Sequence, residues 1–362
     1  MRVLICAGEP SGERHAAAVV EALRARHAPL DAVGVGGAAM ARAGVRLLAR
    51  IDELSAMGLV EVVRTLPRHR RVLATLRREL RTGTYDLAIL VDYPGFHLRV
   101  AAEATRAGVP VLYYVAPQMW AWGGWRLRAL RSRVQRLAVI LPFEESFFAD
   151  RGIPATFVGH PALEHSFPAR ADARRHLGLD PERPLLALFP GSRRAERQRL
   201  DAVFRRAATL LQRDVPELAQ VVADRDVADG AAPAGRVPAA LALAAADVGL
   251  VKSGTTTLEA ALAGLPMVVA YRMHPVTFAV ARRAVHVPHV SLVNLVAARD
   301  VAPEFLQRRA TPERLYRALR ELLPADAAAR RRQLDAFDDV RRRLGTPGAS
   351  GRVADLALEL AA

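Results

Sequence analysis

Short apolar runs alternate along this chain with longer segments in which apolar residues recur every three or four positions. The runs have the length of buried strands, and the segments between them have the period of amphipathic helices. In the first half, strands are predicted at RVLICAG, DAVGVGG, LAILVDY, PVLYYVAP, RLAVILP and ATFVGHP. Because these runs are apolar almost throughout, we expect a parallel α/β sheet covered on both faces.

The pattern begins again after a proline- and charge-rich stretch, HPALEHSFPARADARRHLGLDPERP. The second half predicts strands at LLALFPGS, LAQVVAD, DVGLVKSG and PMVVAYRM, and helices from Glu196 to Arg213 and from Thr256 to Ala263. We therefore expect two Rossmann-like domains, residues 1–168 and 169–344, with a cleft between them. An arginine-rich helical tail follows, and its last part, about 345–362, is expected to pack back on the first domain.

Composition supports a globular protein of two medium domains, with 362 residues, 51% of them hydrophobic. Cys6 is the single cysteine and lies within the first apolar run, so a disulfide framework is excluded and a reducing cytosol is favoured. Neither a signal-peptide pattern nor an apolar stretch of bilayer-spanning length is present. We expect a cytoplasmic protein that meets a membrane only peripherally.

The charge is strongly basic, since 52 Lys and Arg against 37 Asp and Glu give a net charge of +15. This balance favours an anionic partner, either nucleic acid, a phosphorylated metabolite or an acidic membrane surface. Nucleic acid is the weakest of these, because basic and aromatic residues do not interleave into a reading surface. Lys252 is the only lysine, which makes its position conspicuous.

Ligands of open α/β sheets bind beyond the carboxyl ends of the strands. The first such end, CAGEPSGERHAA, offers Glu9, Ser11, Gly12 and Glu13. Its glycines allow a close backbone approach, and the following helix start suits an anion or a sugar hydroxyl. The alternative is purely structural, with Ser11 as the N-cap and Glu13 in the first helical turn.

A single carboxylate, Asp92, ends the apolar run of ILVDYPGFHLRV. Residue patterns alone leave it as either a helix cap or a catalytic group. A second end, LFPGSRRAERQRL, is typical of a phosphate cradle built from Ser192, Arg193 and Glu196. The alternative is a capping box in which Ser192 is the N-cap and Glu196 its partner.

The turn in GLVKSGTTTLEAALAGLP combines Ser253, Gly254 and Thr255, whose hydroxyl and N–H groups suit a diphosphate. Glu259, one turn later, suits ribose hydroxyls. A fourth apolar run, HVSLVNLVA, contains Asn294 as its only polar residue after the serine. A buried asparagine usually satisfies neighbouring backbone, and the pattern alone favours that reading.

One candidate surface is not a strand end. The segment AMGLVEVVRTLPRHRRVLATLRREL groups apolar residues and borders them with arginines, a pattern that suits docking on an anionic membrane. The apolar residues are Met57, Leu59, Val60, Val62, Val63 and Leu66. Ordinary helices with one face in the core are the alternative. Metal-ligand spacings and nucleophile motifs such as GxSxG are absent from the sequence.

Taken together, these motifs resemble the lipid A disaccharide synthase family, inverting glycosyltransferases of the two-Rossmann GT-B type. The resemblance runs nearly from end to end, in order. It comprises AGEPSGE, GVGGAAM, AMGLVEV, VDYPGFH, YYVAPQMWAW, LPFEESFF, FVGHPALE, LFPGSRRAE, SGTTTLEAAL, PMVVAYRM and VSLVNLVA.

The resemblance implies transfer from UDP-2,3-diacylglucosamine to 2,3-diacylglucosamine 1-phosphate, giving a β(1→6) disaccharide 1-phosphate and UDP. It implies Asp92 as the general base, Arg193 and Glu196 on the nucleotide side, and Asn294 as a residue needed for activity. The first domain would hold the acylated acceptor and the second the UDP-sugar, without metal or cofactor. Acylated substrates also imply peripheral association with the inner face of the cytoplasmic membrane; a homodimer is one option for the oligomeric state.

The chain departs from the family pattern at several positions. Glu13 stands in place of an aspartate, Tyr93-Pro94-Gly95-Phe96-His97 in place of Ala-Pro-Asp-Phe-Asn, Gly123 in place of an arginine, and Lys252 in place of a small residue. The segment 219–242 is also short. These departures keep open a GT-B enzyme acting on another UDP-sugar or lipid acceptor, a UDP-sugar epimerase, and a non-catalytic homologue that binds sugar nucleotide or lipid.

Overall fold

A computed structural model describes residues 1–53, 59–82, 84–121, 123–224, 236–274, 278 and 287–362, with the backbone alone for residues 59–65. The chain forms two compact units. Unit 1 comprises Met1–Pro161 and Gly345–Ala362, and unit 2 comprises Ala162–Leu344. The division falls at Pro161, ahead of the boundary at 168 expected from sequence.

Unit 1 contains a seven-stranded parallel sheet with the strand order β3-β2-β1-β4-β5-β6-β7. Its strands are β1 Arg2–Ala7, β2 Asp31–Gly36, β3 Arg46–Arg50, β4 Leu87–Val91, β5 Val111–Tyr114, β6 Arg136–Val139 and β7 Ala155–Phe157. Its helices are α1 Pro10–Arg26, α2 Ala38–Arg42, α3 Leu59–Leu80, α4 Pro94–Arg106, α5 Leu127–Arg131, α6 Glu144–Ala149 and the final α14 Ala349–Ala361.

Both faces of the unit 1 sheet are buried, as its apolar strands require. Successive side chains of a strand point to opposite faces. Leu4 and Cys6 therefore pack on one face, in the cluster that holds residues of α3 and α4. Ile5 packs on the other face with residues of α1 and α14. The last helix is fixed there by Arg352, whose Nε donates to the carbonyl of Val158 at 2.8 Å.

Unit 2 contains a six-stranded parallel sheet with the order β10-β9-β8-β11-β12-β13. Its strands are β8 Leu185–Phe189, β9 Ala219–Asp224, β10 Arg236–Pro238, β11 Val248–Lys252, β12 Met267–Tyr271 and β13 Glu304–Leu306. Its described helices are α7 Arg170–His176, α8 Arg194–Asp214, α9 Ala239–Ala245, α10 Thr256–Leu262, α11 Leu292–Ala297, α12 Pro312–Leu322 and α13 Ala328–Arg343.

The predicted strands and the two predicted helices of the second half are confirmed, with ends that shift by a few residues. Three strands were not predicted, namely β3, β10 and β13. The treatment of the run around Asn294 as a strand end was wrong, because that run forms helix α11. Of the short segment 219–242, residues 225–235 lie outside the described residues.

Each sheet changes its direction of growth between two central strands. In unit 1 these are β1 and β4, since β2 continues on one side and β5 on the other. In unit 2 they are β8 and β11. The carboxyl ends of such strand pairs are the usual ligand positions of open α/β sheets. The turns after β1, β4, β8 and β11 are the ones selected from the sequence.

Candidate functional site

The turns after β1 and β4 of unit 1 pack directly on each other through Gly8 and Tyr93. A Cβ atom placed on Gly8 would lie 2.2 Å from Cγ of the Tyr93 ring. Only glycine therefore fits beneath that ring. The Tyr93 hydroxyl lies 3.1 Å from Nε2 of His69, which ties the turn to α3. The two predicted motifs of unit 1 thus form one surface at the centre of the sheet.

The first motif is partly structural. Helix α1 begins at Pro10 with Glu9 as its N-cap, so the interpretation of Ser11 as the N-cap was wrong. Glu13 is buried, and its Oε1 accepts hydrogen bonds from the backbone N–H groups of Ala39 at 2.6 Å and Met40 at 3.3 Å. The Glu13 carboxylate thereby caps α2. Contact of Glu9, Ser11 and Gly12 with an acceptor remains a prediction.

Asp92 lies one residue beyond β4, in a backbone conformation that is unusual for a non-glycine residue. Its φ is +53°, and that of Tyr93 is +51°. Tyr93, rather than Asp92, is the N-cap of α4, so the interpretation of Asp92 as the N-cap was wrong. Left-handed non-glycine residues cost of order 1–3 kcal/mol each and cluster at functional sites. This conformation favours the catalytic alternative.

Three hydrogen bonds fix the backbone of Asp92. Its N–H donates to the carbonyl of Tyr114 on β5 at 2.9 Å. Its carbonyl oxygen accepts from Nδ1 of His97 at 2.7 Å and from the hydroxyl of Tyr113 at 2.6 Å. With both backbone groups held, the direction in which the side chain leaves the strand end is set.

Both donors to the Asp92 carbonyl keep their protons at neutral pH. Burial lowers the pKa of His97 to about 4, against a smaller opposing effect of its hydrogen bonds to backbone carbonyls. The ring is therefore neutral, and because a carbonyl only accepts, its one proton is on Nδ1. Burial, followed by the nearby Asp92 charge, raises the pKa of Tyr113 well above its usual value.

The aromatic motif after β5 is held by a buried carboxyl group, Glu144. Its Oε1 accepts from Nε1 of Trp120 at 2.9 Å, and its Oε2 accepts from the backbone N–H of Leu141 at 3.0 Å. Burial raises the pKa of Glu144 to about 7, against these hydrogen bonds. The tryptophan of the motif therefore has its orientation fixed from within unit 1.

In unit 2 the turns after β8 and β11 line one cavity of about 90 Å³. The predicted residues Ser192, Glu196, Gly254 and Thr255 all contribute to its wall. A cavity of this size suits a phosphate group and is well below the 300–1,000 Å³ of a site for a whole drug-sized ligand. A larger shallow groove, about 660 Å³, lies along α12 and contains none of the predicted residues.

Lys252 also lines this cavity, and the predicted set of site residues did not include it. Its Nζ lies 2.9 Å from Oε1 of Glu196 and 5.6 Å from the centre of the Tyr271 ring. The same Nζ lies 3.4 Å from the position a Cβ would take on Gly254. The ammonium group is therefore held directly over the Ser-Gly-Thr turn. The signal in the sequence was the only lysine of the chain at a strand end.

The capping alternative for the β8 turn is correct for Glu196 but not for Ser192. Helix α8 has Arg193 as its N-cap, and the backbone N–H of Arg193 donates to Oε2 of Glu196 at 3.4 Å. One oxygen of Glu196 thus caps the helix while the other holds Lys252. The Ser192 side chain is left exposed beside the cavity.

Ser253 and Asn294 support the turn from behind. The Ser253 hydroxyl donates to the carbonyl of Val290 at 3.0 Å. Asn294 is fully buried; its Nδ2 donates to Glu304 and to Ala302, and its Oδ1 accepts from two backbone N–H groups. Glu304 in turn accepts from the N–H of Val290 at 3.0 Å. The amide of Asn294 is thus fully used within unit 2, while Glu259 lies half-buried on α10.

The predicted membrane patch falls largely outside the described residues. This applies to Met57 and to the side chains of Leu59, Val60, Val62 and Val63, while Leu66 is half-buried. Within the described ranges, the helices are all too short or too polar to cross a bilayer. The same part of the chain contains no group of three or more acidic, histidine or cysteine side chains arranged for a metal ion.

Two Rossmann-like units with parallel sheets define the GT-B class of glycosyltransferases. The solved structure of Arabidopsis thaliana UGT89C1 complexed with UDP matches with a TM-score of 0.65 at 13% identity, covering 100% of both chains. A family model described as lipid-A-disaccharide synthetase matches residues 3–228 and 235–348. The chain belongs to the lipid-A-disaccharide synthetase family.

Curated relatives agree with this assignment. The lipid-A-disaccharide synthase of Myxococcus xanthus is 42% identical over 376 residues, covering 99% of this chain and 97% of its own. That of Anaeromyxobacter dehalogenans strain 2CP-C is 41% identical over 371 residues, with the same coverage. The resemblance drawn from the sequence motifs is confirmed at the level of the family and the fold.

Proposed function

We propose that this protein is an inverting lipid-A-disaccharide synthase that joins UDP-2,3-diacylglucosamine to 2,3-diacylglucosamine 1-phosphate. The observation that carries the proposal is Asp92 at the switch point of the unit 1 sheet, with its backbone fixed by three hydrogen bonds. Unit 1 binds the acylated acceptor, and unit 2 binds the UDP-sugar. Membership of the family supports the choice of substrates.

In the proposed reaction, Asp92 removes the proton from the acceptor 6-hydroxyl. The hydroxyl oxygen forms a bond to the anomeric carbon of the donor on the face opposite the diphosphate. The bond from that carbon to the diphosphate oxygen breaks, and UDP leaves with the electron pair. General-base assistance of this kind contributes about 10²–10⁴-fold to the rate.

Unit 2 stabilises the departing UDP by electrostatics. Lys252 supplies a positive charge over the turn that carries Gly254, and the Thr255 and Ser192 hydroxyls offer hydrogen bonds at the same cavity. Arg193 at the start of α8 and Glu259, for the ribose, complete the proposed donor site. Support comes from the UDP complex of the related fold UGT89C1.

The test is transfer by the purified protein with both diacyl substrates, following UDP release and the disaccharide together. We expect both products in equal amounts and neither without the acceptor. Acceptor-independent conversion of UDP-GlcNAc would indicate an epimerase instead. UDP that raises the melting temperature, without transfer to any acylated acceptor, would indicate a non-catalytic homologue.

We also propose that residues 57–66 dock on the anionic inner face of the cytoplasmic membrane. The net charge of +15 and the acyl chains of the substrates favour this surface. The variant Leu59→Asp/Val62→Asp should bind anionic liposomes more weakly than wild type. A matched control, Gln198→Asp/Ala202→Asp, adds the same charge to exposed positions of α8. Equal binding of both variants would contradict a specific docking role.

A further inference from the structure

The carbonyl oxygen of Asp92 accepts two side-chain hydrogen bonds, which packing of the turn alone does not require. They come from two different elements, His97 on α4 and Tyr113 on β5, and meet on one oxygen atom. That carbonyl belongs to the first of two consecutive left-handed residues, Asp92 and Tyr93. If Asp92 left the left-handed region, its φ and ψ would both change. The change in ψ would move the carbonyl and break both hydrogen bonds, and the change in φ would turn the carboxylate.

Of the two ring nitrogens of His97, only Nδ1 is hydrogen-bonded within the part of the chain that the structure describes. The ring is fully buried, and Nδ1 donates to the Asp92 carbonyl. Nε2 has no hydrogen-bond partner among the described residues. A buried unsatisfied nitrogen is costly, so the hydrogen bond of Nδ1 is the polar interaction that offsets burial of the ring. The rings of Tyr93 and Tyr113 lie against it, with centroids at 5.9 and 6.4 Å.

We propose that His97 and Tyr113 are positioning residues that hold Asp92 in its left-handed conformation and so aim its carboxylate at the acceptor hydroxyl. This inference rests on the proposed role of Asp92 as the general base. The N–H of Asp92 is also bonded to the carbonyl of Tyr114, so both backbone hydrogen-bonding groups of Asp92 are held. Loss of either donor makes it easier for Asp92 to leave the left-handed region, and the carboxylate then spends less time in the productive direction.

The experiment compares Tyr113→Phe, His97→Leu and His97→Asn with Tyr85→Phe as the matched control. Tyr85 is a buried tyrosine of the same unit, and its hydroxyl donates to Glu79 at a different place. We expect kcat to fall at least 10-fold in Tyr113→Phe and His97→Leu, with KM for both substrates and the Kd for UDP unchanged. His97→Asn keeps an N–H donor near the Nδ1 position and should recover most of the loss seen with leucine.

A double-mutant cycle separates positioning from general damage to the fold. If the two residues act through Asp92, Tyr113→Phe should have no further effect in an Asp92→Asn background. A second 10-fold loss in that background would overturn the proposal, as would equal rates of His97→Asn and His97→Leu. If Tyr113→Phe does not fold, the histidine pair carries the same cycle.

The outcomes also distinguish this inference from the proposed function. If Asp92→Asn is as active as wild type, Asp92 is not the general base, and the role proposed for it in the reaction is wrong. If Asp92→Asn is inactive while Tyr113→Phe and His97→Leu are fully active, Asp92 remains the proposed base. The positioning role of His97 and Tyr113 is then wrong. Calorimetric UDP binding to each variant verifies that unit 2 is intact in every case.

Discussion

The turns at the strand ends of the two units reverse direction at different kinds of residue. In unit 2 the turns after β8 and β11 reverse direction at Gly191 and Gly254, with φ of +113° and +155°. In unit 1 the turns after β4 and β5 do so at Asp92 and Val115, with φ of +53° and +61°. Glycine adopts such angles at little cost, aspartate does so only occasionally, and a β-branched valine is a genuine outlier there.

The use of glycine in unit 2 and of non-glycine residues in unit 1 reflects what lies at each strand end. In unit 2 both glycines line the cavity of about 90 Å³, and the absence of a side chain leaves room for the proposed ligand. In unit 1 the turn after β4 places the carboxylate of the proposed base Asp92 at the strand end, in a conformation that costs of order 1–3 kcal/mol. Hydrogen bonds to the Asp92 carbonyl, each worth about 0.5–1.5 kcal/mol net, offset part of that strain.

The largest expected effect on activity comes from removing the carboxylate of Asp92 in unit 1. Asp92→Asn keeps the size and the hydrogen-bonded backbone but removes the base. We expect kcat for UDP release to fall about 10²–10⁴-fold. Asp150→Asn, at an exposed position of the same unit, is the control and should be as active as wild type. Full activity of Asp92→Asn would mean that the strained strand end serves another purpose.

A pH titration of stability tests the environment of His97. Its pKa is about 4 when folded and about 6.5 when unfolded, so between these values only the unfolded chain binds the proton. Stability from this group is therefore fully present above pH 6.5 and decreases as the pH falls to 4, by up to about 1.4 kcal/mol per pH unit. Denaturant unfolding should show a smaller loss between pH 7 and pH 5 in His97→Asn than in wild type.

The control for that titration is His27→Asn, which removes an exposed histidine of unit 1. The pH dependence of its stability is the reference against which that of His97→Asn is compared. An unchanged slope in His97→Asn would show that the ring is hydrated rather than buried and neutral. It would also weaken the assignment of its proton to Nδ1.

Sequence patterns predicted the central strands and their ends well, because those strands are apolar throughout. The missed strands β3, β10 and β13 are short or partly exposed and carry charge, as in Arg46–Arg50. Asn294 was misplaced because a short apolar run fits a strand and a buried helix equally. Lys252 at the end of β11 pairs with Glu196 on the helix that follows β8. Spacing along the chain does not reveal that these two side chains meet.

The next largest expected effect is on UDP binding and comes from Lys252 in unit 2. Lys252→Ala removes the positive charge over the Gly254 turn, and a hydrogen bond to a charged group is worth about 1.5–3 kcal/mol. We expect the Kd for UDP, measured by calorimetry, to rise about 10- to 100-fold, while the affinity for uridine stays the same. Lys252→Arg should lie in between, and Arg206→Ala, an exposed charge removed from α8, should resemble wild type. Equal losses for UDP and uridine would place Lys252 away from the diphosphate.

The smallest effects compare two glycines of unit 1. Gly8→Ala places a Cβ 2.2 Å from the Tyr93 ring, so we expect destabilisation of about 1–3 kcal/mol and a loss of activity as the turn at Asp92 shifts. Gly95, in the first turn of α4, has no positive φ, and apart from its chain neighbours and its own helix backbone no atom of the described residues lies within 4 Å of its Cβ position. Gly95→Ala should therefore stabilise the protein by about 0.5–1 kcal/mol at unchanged activity. Thermal unfolding of both variants measures this difference. Equal shifts of Tm in Gly8→Ala and Gly95→Ala would mean that the close contact between the β1 and β4 turns does not constrain Asp92.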